Sequence, residues 1–184
     1  ALGAVSNGLI GSTEDEIFYY TTSNNNYTHY SYKEIFSDSP YYRQTLEDVV
    51  PFEGDKVWLL SNVRLLSCTL SNGQINVIGR VYSPLHIGPL LGNGIKVGNE
   101  ILFTSASPYL LKSSFGASTC DSILVANKLY NNESKLTNLP NGEVLLVMKG
   151  LEMASYNPRN NKVTALHVQK SPNLSNAVPT VVVK

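Results

Sequence analysis

The sequence predicts an all-β protein of antiparallel hairpins, arranged as β-propeller-like blades or, as the alternative, as a β-sandwich. Its apolar runs are short, and turn residues interrupt them about every 8 to 15 residues, a spacing typical of hairpins in such folds. The chain of 184 residues contains 19 Asn, 20 Ser, 11 Thr and 11 Tyr, and only 15% of its residues are charged. Uncharged hydrogen-bonding side chains therefore face the water, instead of the ion-paired surfaces of helices.

Nine segments have the composition of strands, because they are rich in Val, Ile, Leu, Thr and aromatic residues. They are Ile17 to Thr22, Lys56 to Ser61, Val63 to Leu70, Gln74 to Tyr82, Glu100 to Ser105, Ser122 to Tyr130, Glu143 to Lys149, Lys162 to Gln169 and Pro179 to Val183. A looser unit, in which an apolar strand precedes a hairpin or a glycine-rich crossing, starts near Val57, Gly94 and Asn141. That spacing averages about 40 residues, the length of a propeller blade, and predicts about four blades.

Asn-Gly pairs mark the predicted turns, because both residues tolerate the positive φ angles that tight hairpins require. Three such pairs occur, at Asn72-Gly73, Asn93-Gly94 and Asn141-Gly142. A longer polar turn, Asn157 to Lys162, is predicted to join Leu151–Tyr156 to Val163–Val168.

The segment between Thr22 and Pro51 departs from the strand pattern. Ser31–Phe36 and Tyr42–Val50 each have the pattern of a short helix, and Pro40 and Pro51 bound the second one. The segment is also rich in tyrosine, whose flat amphipathic ring favours recognition surfaces. The predicted receptor-binding residues are Tyr27, Tyr30, Tyr32, Tyr41 and Tyr42. The alternative is that these rings pack over a core edge with their hydroxyl groups in water.

Composition and charge exclude several classes of protein. Fourteen basic residues balance fourteen acidic ones, and no run of Lys or Arg is present to follow a nucleic-acid backbone. A hydrophobic content of 42% argues against disorder. No apolar stretch approaches the roughly 20 residues that a membrane helix needs, and the N-terminus lacks the features of a signal peptide. We expect one domain over residues 1–184, either whole or part of a larger propeller head, in an extracellular setting.

The sequence contains only two cysteines, Cys68 and Cys120. In an extracellular protein we expect them to form a disulfide. In the chain-entropy model its loop of about 50 residues would stabilise the fold by roughly 4 kcal/mol. The alternative is two buried thiols. Asn26, Asn132 and Asn173 match the glycosylation pattern, although a chain with this composition should contain about three matches by chance.

Motifs for catalysis are missing from the sequence, so we expect no catalytic residues, no metal and no cofactor. His29, His86 and His167 share no metal-ligand spacing, and no Gly-x-Ser-x-Gly elbow is present. A glycosidase needs only two carboxylates, which leaves a sialidase-type hydrolase as an alternative. Such an enzyme would require convergence of most of the four arginines, Arg43, Arg64, Arg80 and Arg159.

One stretch resembles a known family. The run from Leu85 to Phe103, with its Gly-Pro crossing followed by a polar turn and an apolar strand, resembles a blade of paramyxovirus attachment glycoproteins. Cys120 follows at a similar place, and Ser122–Val125 followed by Leu139–Val147 resembles the passage from one blade to the next. The resemblance covers about residues 85 to 150. It implies a propeller head on a virion surface that binds a host receptor, either a glycan or a protein.

Together these observations predict a non-catalytic extracellular recognition domain of a viral attachment glycoprotein, with the tyrosines as its contact surface and a homo-oligomer as one possible state. The sialidase-type hydrolase and a structural capsid or fibre module are the alternatives.

Overall fold

The computed structural model describes residues 1–13, 16–36, 45–82, 90–105, 107–125, 134–147 and 153–166, which form four antiparallel sheets of four strands each. Sheet 1 contains β1 Leu2–Val5, β2 Gly8–Ser12, β3 Glu16–Thr21 and β4 Asn26–Ser31, and the short helix α1 Tyr32–Ile35 follows it. Sheet 2 contains β5 Leu46–Pro51, β6 Lys56–Ser61, β7 Arg64–Ser71 and β8 Gln74–Tyr82. Sheet 3 contains β9 Leu90–Val97, β10 Glu100–Ser105, β11 Tyr109–Ser114 and β12 Asp121–Leu124. Sheet 4 contains β13 Lys135–Asn138, β14 Val144–Val147, β15 Met153–Asn157 and β16 Lys162–Leu166.

Within each sheet the strands follow one another in chain order, and successive sheets pack face to face. One hydrophobic cluster lies between sheets 1 and 2, a second between sheets 2 and 3, and a third between sheets 3 and 4. The first strand of each sheet contacts the first strand of the next, so that β1, β5, β9 and β13 form the inner row. This blade-like arrangement confirms the predicted all-β fold and the predicted number of units. No helix among the described residues is long and apolar enough to cross a membrane.

Sheet 2 shows how the sequence produces this packing, because both of its faces are covered. In β6, Val57 and Leu59 point toward sheet 1, whereas Trp58 and Leu60 point toward sheet 3. Side chains of a strand alternate between the two faces, so a strand that is covered on both sides is apolar throughout. The run Val-Trp-Leu-Leu has no polar alternation for this reason.

The hairpin at Asn72-Gly73 has the predicted geometry. Ser71 pairs directly with Gln74, and the two residues between them have φ angles of 51° and 75°. Positive φ at both central positions defines the tight primed turn that suits twisted antiparallel strands. The predicted pairing of β7 with β8 is therefore confirmed.

Gly73→Val is expected to lower the free energy of unfolding by about 1–3 kcal/mol, because a β-branched residue would be forced into positive φ. The Cβ atom itself would meet only side-chain atoms, Asn26 Nδ2 and Thr28 Oγ1, each at 3.3 Å. Thermal or urea unfolding measures the change. A Gly73→Val protein as stable as the parent would show that this turn does not hold the hairpin.

Asn93-Gly94 is not a turn, which corrects the prediction. Both residues lie within β9, where Gly94 pairs with Phe103, and the positive φ of 117° belongs to Gly92 instead. A Cβ at position 94 would lie 3.0 Å from Val50 Cγ2, so the glycine permits β9 to approach β5 closely. Gly142, in contrast, has a φ of 82° in the turn between β13 and β14, as predicted.

The region rich in tyrosine is more regular than its sequence indicates. Ser31–Phe36 forms the predicted helical turn, with Ser31 and Glu34 making a reciprocal capping box at its start. The predicted helix at Tyr42–Val50 is wrong over its described part, because Leu46–Pro51 is strand β5. The predicted strand Pro179–Val183 lies outside the described residues.

The expected disulfide between Cys68 and Cys120 is absent, since both cysteines are free. Cys68 on β7 is fully buried in the cluster between sheets 1 and 2. Cys120 packs against the cluster between sheets 2 and 3, on the other side of sheet 2. A bridge cannot form through a packed sheet without moving it.

Native-state alkylation is therefore expected to label Cys120 first and Cys68 only on unfolding. Burial raises the pKa of Cys68 to about 12, and burial also raises the pKa of Cys120, whose side chain is only partly covered. Because the thiolate is the reactive form, Cys68 is unreactive at neutral pH. Intact-mass measurement of the unreduced protein before and after denaturation tests this. If the unreduced protein has a mass about two daltons below that of the form with two free thiols, a disulfide is present and this expectation is wrong.

Candidate functional site

Two surfaces formed by the described residues offer groups for recognition. The first is the outer face of sheet 1, which points away from sheet 2. Strand alternation places Glu16, Phe18 and Tyr20 on this face, and cross-strand pairing adds Tyr27 and His29 from β4. The Phe18 and Tyr27 rings are stacked with centroids 5.7 Å apart, and His29 meets the Tyr27 ring edge-on at 4.3 Å. His29 Nδ1 lies 2.9 Å from Glu16 Oε2.

The three described tyrosines among the predicted receptor-binding residues do not share one surface. Tyr27 is half exposed on the outer face of sheet 1. Tyr30 packs against the cluster between sheets 1 and 2, and its hydroxyl donates to the Gly73 carbonyl at 2.7 Å. Burial raises the pKa of Tyr30. Tyr32 stacks on Phe36 and donates to the Thr13 carbonyl at 3.0 Å. Tyr41 and Tyr42 lie outside the described residues.

The other predicted positions are placed as follows. Asn26 is exposed at the start of β4, where a glycan could be attached, whereas Asn132 and Asn173 lie outside the described residues. Arg64 and Arg80 belong to sheet 2, and Arg159 belongs to the β15–β16 turn of sheet 4. These three arginines do not converge, because Arg64 is buried and donates to the Phe36 carbonyl. The described part of the chain contains no group of three His, Cys, Asp or Glu that could hold a metal ion.

The second surface is a groove of about 640 Å³ at the outer strands of sheets 3 and 4, called the rim groove below. Its lining residues are Lys112, Cys120, Asp121, Ser122, Ile123 and Asn161. Lys112 on β11 pairs with Asp121 on β12, so both side chains lie on the face of sheet 3 that points toward sheet 4. Asn161 comes from the β15–β16 turn on the opposite side. The groove is the outward continuation of the core between these two sheets.

The polar groups of the rim groove are held in place by their neighbours. Lys112 Nζ lies 3.5 Å from Glu100 Oε1, which fixes the ammonium group. Asn161 has a φ of 55°, and its Oδ1 accepts a hydrogen bond of 2.6 Å from the buried Tyr156 hydroxyl. Burial raises the pKa of Tyr156, and the nearby Glu100 and Asp121 carboxylates raise it further, which keeps the hydroxyl a donor. Because Oδ1 accepts this hydrogen bond, the amide nitrogen is the donor that Asn161 contributes to the groove lining.

The chemistry of the rim groove suits an uncharged polar ligand. It presents donors on Lys112 and Asn161, an acceptor on Asp121, and an apolar contact on Ile123. Because a cationic and an anionic side chain lie next to each other, the groove favours neither anionic nor cationic ligands. The volume lies in the range of small-molecule sites, about 300–1,000 Å³. Sequence reasoning missed this site, since its residues share no local motif.

Comparison with known proteins identifies the fold but no family. No protein-family model and no curated protein matches the sequence. Among solved structures, the chain is similar to PorZ, a bacterial surface component of the type-IX secretion system of Porphyromonas gingivalis, with 12% identity and a TM-score of 0.54 over 91% of this chain. It is also similar to the extracellular domains of the putative one-component system BT4673 and the putative hybrid two-component system BT3049, both from B. thetaiotaomicron.

These two likenesses have TM-scores of 0.61 and 0.60, identities of 13% and 12%, and cover 89% and 87% of this chain. The chain spans only about a fifth of the three solved structures, between 20% and 22% of their length. The structural neighbours are bacterial, so the resemblance to paramyxovirus attachment glycoproteins is wrong. The residues that carried it, Leu85–Phe103, contain the mistaken turn at Asn93-Gly94, and a strand that follows a polar turn is common to hairpins in general.

Proposed function

We propose that the chain is a non-catalytic recognition domain from the extracellular part of a bacterial surface or sensor protein. The structural neighbours named above support the setting, because two are extracellular domains of putative signalling systems and the third is a surface component. The observation that carries the recognition role is the rim groove, where Lys112, Asp121 and Asn161 converge from two sheets. Its ligand is a polyhydroxylated molecule of the oligosaccharide class.

A sugar matches the groove in its hydrogen bonding and in its shape. Each hydroxyl group both donates and accepts, so Asp121 accepts from one hydroxyl while Lys112 and Asn161 donate to others. The C–H face of a pyranose ring is apolar and packs on the Ile123 side chain. Charge-assisted hydrogen bonds to Asp121 and Lys112 contribute about 1.5–3 kcal/mol each when water is displaced well.

Titration calorimetry with a panel of neutral oligosaccharides tests the proposal, using Asp121→Ala and Asn161→Gly as groove variants. Gly is chosen at position 161 because the residue there has positive φ, so the turn keeps its backbone while the amide is removed. Each variant is expected to weaken binding at least about tenfold, the effect of losing about 1.4 kcal/mol. Glu47→Ala, an exposed carboxylate on β5, is the matched control and should bind like the parent.

Cys120 supplies a second readout, because this partly buried residue is one of those that line the groove, while its side chain packs on the other face of sheet 3. A bound oligosaccharide should slow alkylation of Cys120 to the same extent in the parent and in Glu47→Ala. The absence of binding across the panel, or equal binding by parent and groove variants, would overturn the assignment of the groove. Labelling of intact cells with a membrane-impermeant amine reagent tests the extracellular setting separately.

A further inference from the structure

The polar side chains of the rim groove have fixed hydrogen-bonding roles. An ammonium group only donates, and Lys112 keeps two of its three N–H groups for the groove when one pairs with Glu100 at 3.5 Å. The carboxylate of Asp121 accepts. The Asn161 amide could do either, but its Oδ1 accepts from the Tyr156 hydroxyl at 2.6 Å, so it offers the groove its N–H groups.

Tyr156 holds the Asn161 amide in this direction because the tyrosine cannot follow a rotation of the amide. Its ring is fully buried in the cluster between sheets 3 and 4. Burial raises the pKa of Tyr156, and the Glu100 and Asp121 carboxylates raise it further, so the hydroxyl keeps the proton that it donates. The direction of the Asn161 amide is therefore set from the core.

The groups of the groove are arranged around the gap between two sheets. Alternation along β12 places Asp121 and Ile123 on the face toward sheet 4 and turns Ser122 away. Lys112 lies directly across from Asp121 on the neighbouring strand, so the two side chains lie side by side. Asn161 approaches from sheet 4. The groove thus presents donors from both sides, and an acceptor with an apolar contact beside it.

An acetamido group carries the complementary set of atoms. Its carbonyl oxygen only accepts and has two lone pairs, its N–H only donates, and its methyl group is apolar. The group is uncharged, which suits the paired charges of the groove. A hydroxyl group both donates and accepts, so it would gain nothing from the fixed direction of the Asn161 amide.

We propose that the rim groove recognises the acetamido group of a 2-acetamido sugar. The carbonyl oxygen accepts from Asn161 on one side and from Lys112 on the other, and the N–H donates to Asp121. The methyl group packs on Ile123 beside the apolar face of the sugar ring. Tyr156 is a positioning residue, since it acts through Asn161. This inference rests on the proposed function, because it names the class of sugar that the same groove binds.

Titration calorimetry with two disaccharides of the same linkage tests the role of the acetamido group. N,N′-diacetylchitobiose carries acetamido groups at the two positions where cellobiose carries hydroxyl groups. The parent protein is expected to bind diacetylchitobiose at least about tenfold more tightly than cellobiose.

Asn161→Asp separates a carbonyl ligand from a hydroxyl ligand. The new carboxylate keeps an acceptor for Tyr156 and has a second oxygen in place of the N–H groups, and aspartate tolerates the φ of 55° at this position. The carbonyl oxygen loses its donor, whereas a hydroxyl group can donate to the new oxygen, so the preference for diacetylchitobiose is expected to disappear. Asn160→Asp is the matched control and should keep the preference of the parent. It adds the same charge to the same turn, while its Oδ1 can still accept from the Lys162 backbone N–H.

Tyr156→Phe tests the positioning role, because the released Asn161 amide can turn over and present Oδ1 to the groove. The preference for diacetylchitobiose is expected to fall, while cellobiose is bound as by the parent. The side-chain NH₂ signals of Asn161 in the NMR spectrum, identified by their loss in Asn161→Gly, should shift when diacetylchitobiose is added to the parent and respond less in Tyr156→Phe. Circular dichroism confirms that each variant is folded. An unchanged preference in Tyr156→Phe would contradict the positioning role.

The outcomes distinguish this inference from the proposed function. If the parent binds the two disaccharides equally, or binds other oligosaccharides but not diacetylchitobiose, the acetamido assignment is wrong and the proposed function stands. A preference that survives Asn161→Asp would place the acetamido contact elsewhere and overturn the assignment as well. If no oligosaccharide binds, both proposals are wrong.

Discussion

Replacing Trp58 with Ala is expected to lower the free energy of unfolding by about 3–5 kcal/mol. Trp58 is fully buried between sheets 2 and 3, where its ring lies 4.8 Å from the Phe52 centroid and 5.3 Å from that of Phe115. The stacked pair Phe52 and Phe115 closes over it, so the neighbours cannot collapse into the space that a small side chain would leave. Urea unfolding measures the loss. It is followed by circular dichroism because Trp58 is the only tryptophan, so the variant has no tryptophan fluorescence to follow.

Trp58→Phe separates the effect of side-chain volume from the effect of the buried indole N–H at the same position. Among the described residues the Trp58 Nε1 donor has no hydrogen-bond partner, so replacing the indole removes an unsatisfied group together with some volume. The expected loss is about 1–2 kcal/mol, well below that of Trp58→Ala. Ile78→Ala, at an exposed position on the last strand of the same sheet, should change stability by no more than about 0.5 kcal/mol. Equal losses for Trp58→Ala and Ile78→Ala would contradict the position of Trp58 in the core.

The sequence predicted those strands whose own side chains determine their environment. Lys56–Ser61, Gln74–Tyr82 and Glu100–Ser105 match β6, β8 and β10 in full, because apolar and β-branched residues dominate them. Strands β1 and β4 were missed, since Leu-Gly-Ala-Val and Asn-Tyr-Thr-His-Tyr-Ser carry little strand signal of their own. They are strands because β2 and β3 offer them unpaired backbone groups.

Strand β9 was misread for a related reason. Its Gly92-Asn93-Gly94 has the composition of a turn, but the contact that requires a small residue at position 94 is with Val50, more than 40 residues away in sequence. Local propensity cannot report a close approach between two sheets.

The two recognition surfaces differ in how far sequence could reveal them. Alternation within the predicted strand Ile17–Thr22 already separates Phe18 and Tyr20 from Ile17 and Tyr19, so the contribution of β3, one of the four strands, to the outer face of sheet 1 could be predicted. The rim groove could not be predicted from the sequence. Asp121 and Asn161 come from different sheets, and only the packing of sheet 3 on sheet 4 brings them together.

A carboxylate on β5 connects three sheets, and we expect Asp48→Ala to lower the free energy of unfolding by about 2–4 kcal/mol. Asp48 Oδ2 accepts hydrogen bonds from the Gly94 backbone N–H at 2.8 Å and from Asn93 Nδ2 at 3.2 Å. Asn93 Oδ1 in turn accepts from the Leu136 backbone N–H at 2.8 Å. The inner strands β5, β9 and β13 are joined through these two side chains. Removing the carboxylate leaves the β9 donors without their acceptor in a partly buried position.

A double-mutant cycle distinguishes this connection from a local effect of Asp48. Asn93→Ala alone should also destabilise, because the Leu136 N–H loses its acceptor. If the two side chains act as one unit, the double variant should lose less than the sum of the single variants, by about 1 kcal/mol or more. Glu47→Ala is the control, since this exposed neighbour bonds only with Thr45 among the contacts described. Additive losses for Asp48→Ala and Asn93→Ala would show that the two side chains stabilise the inner strands independently and not as one unit.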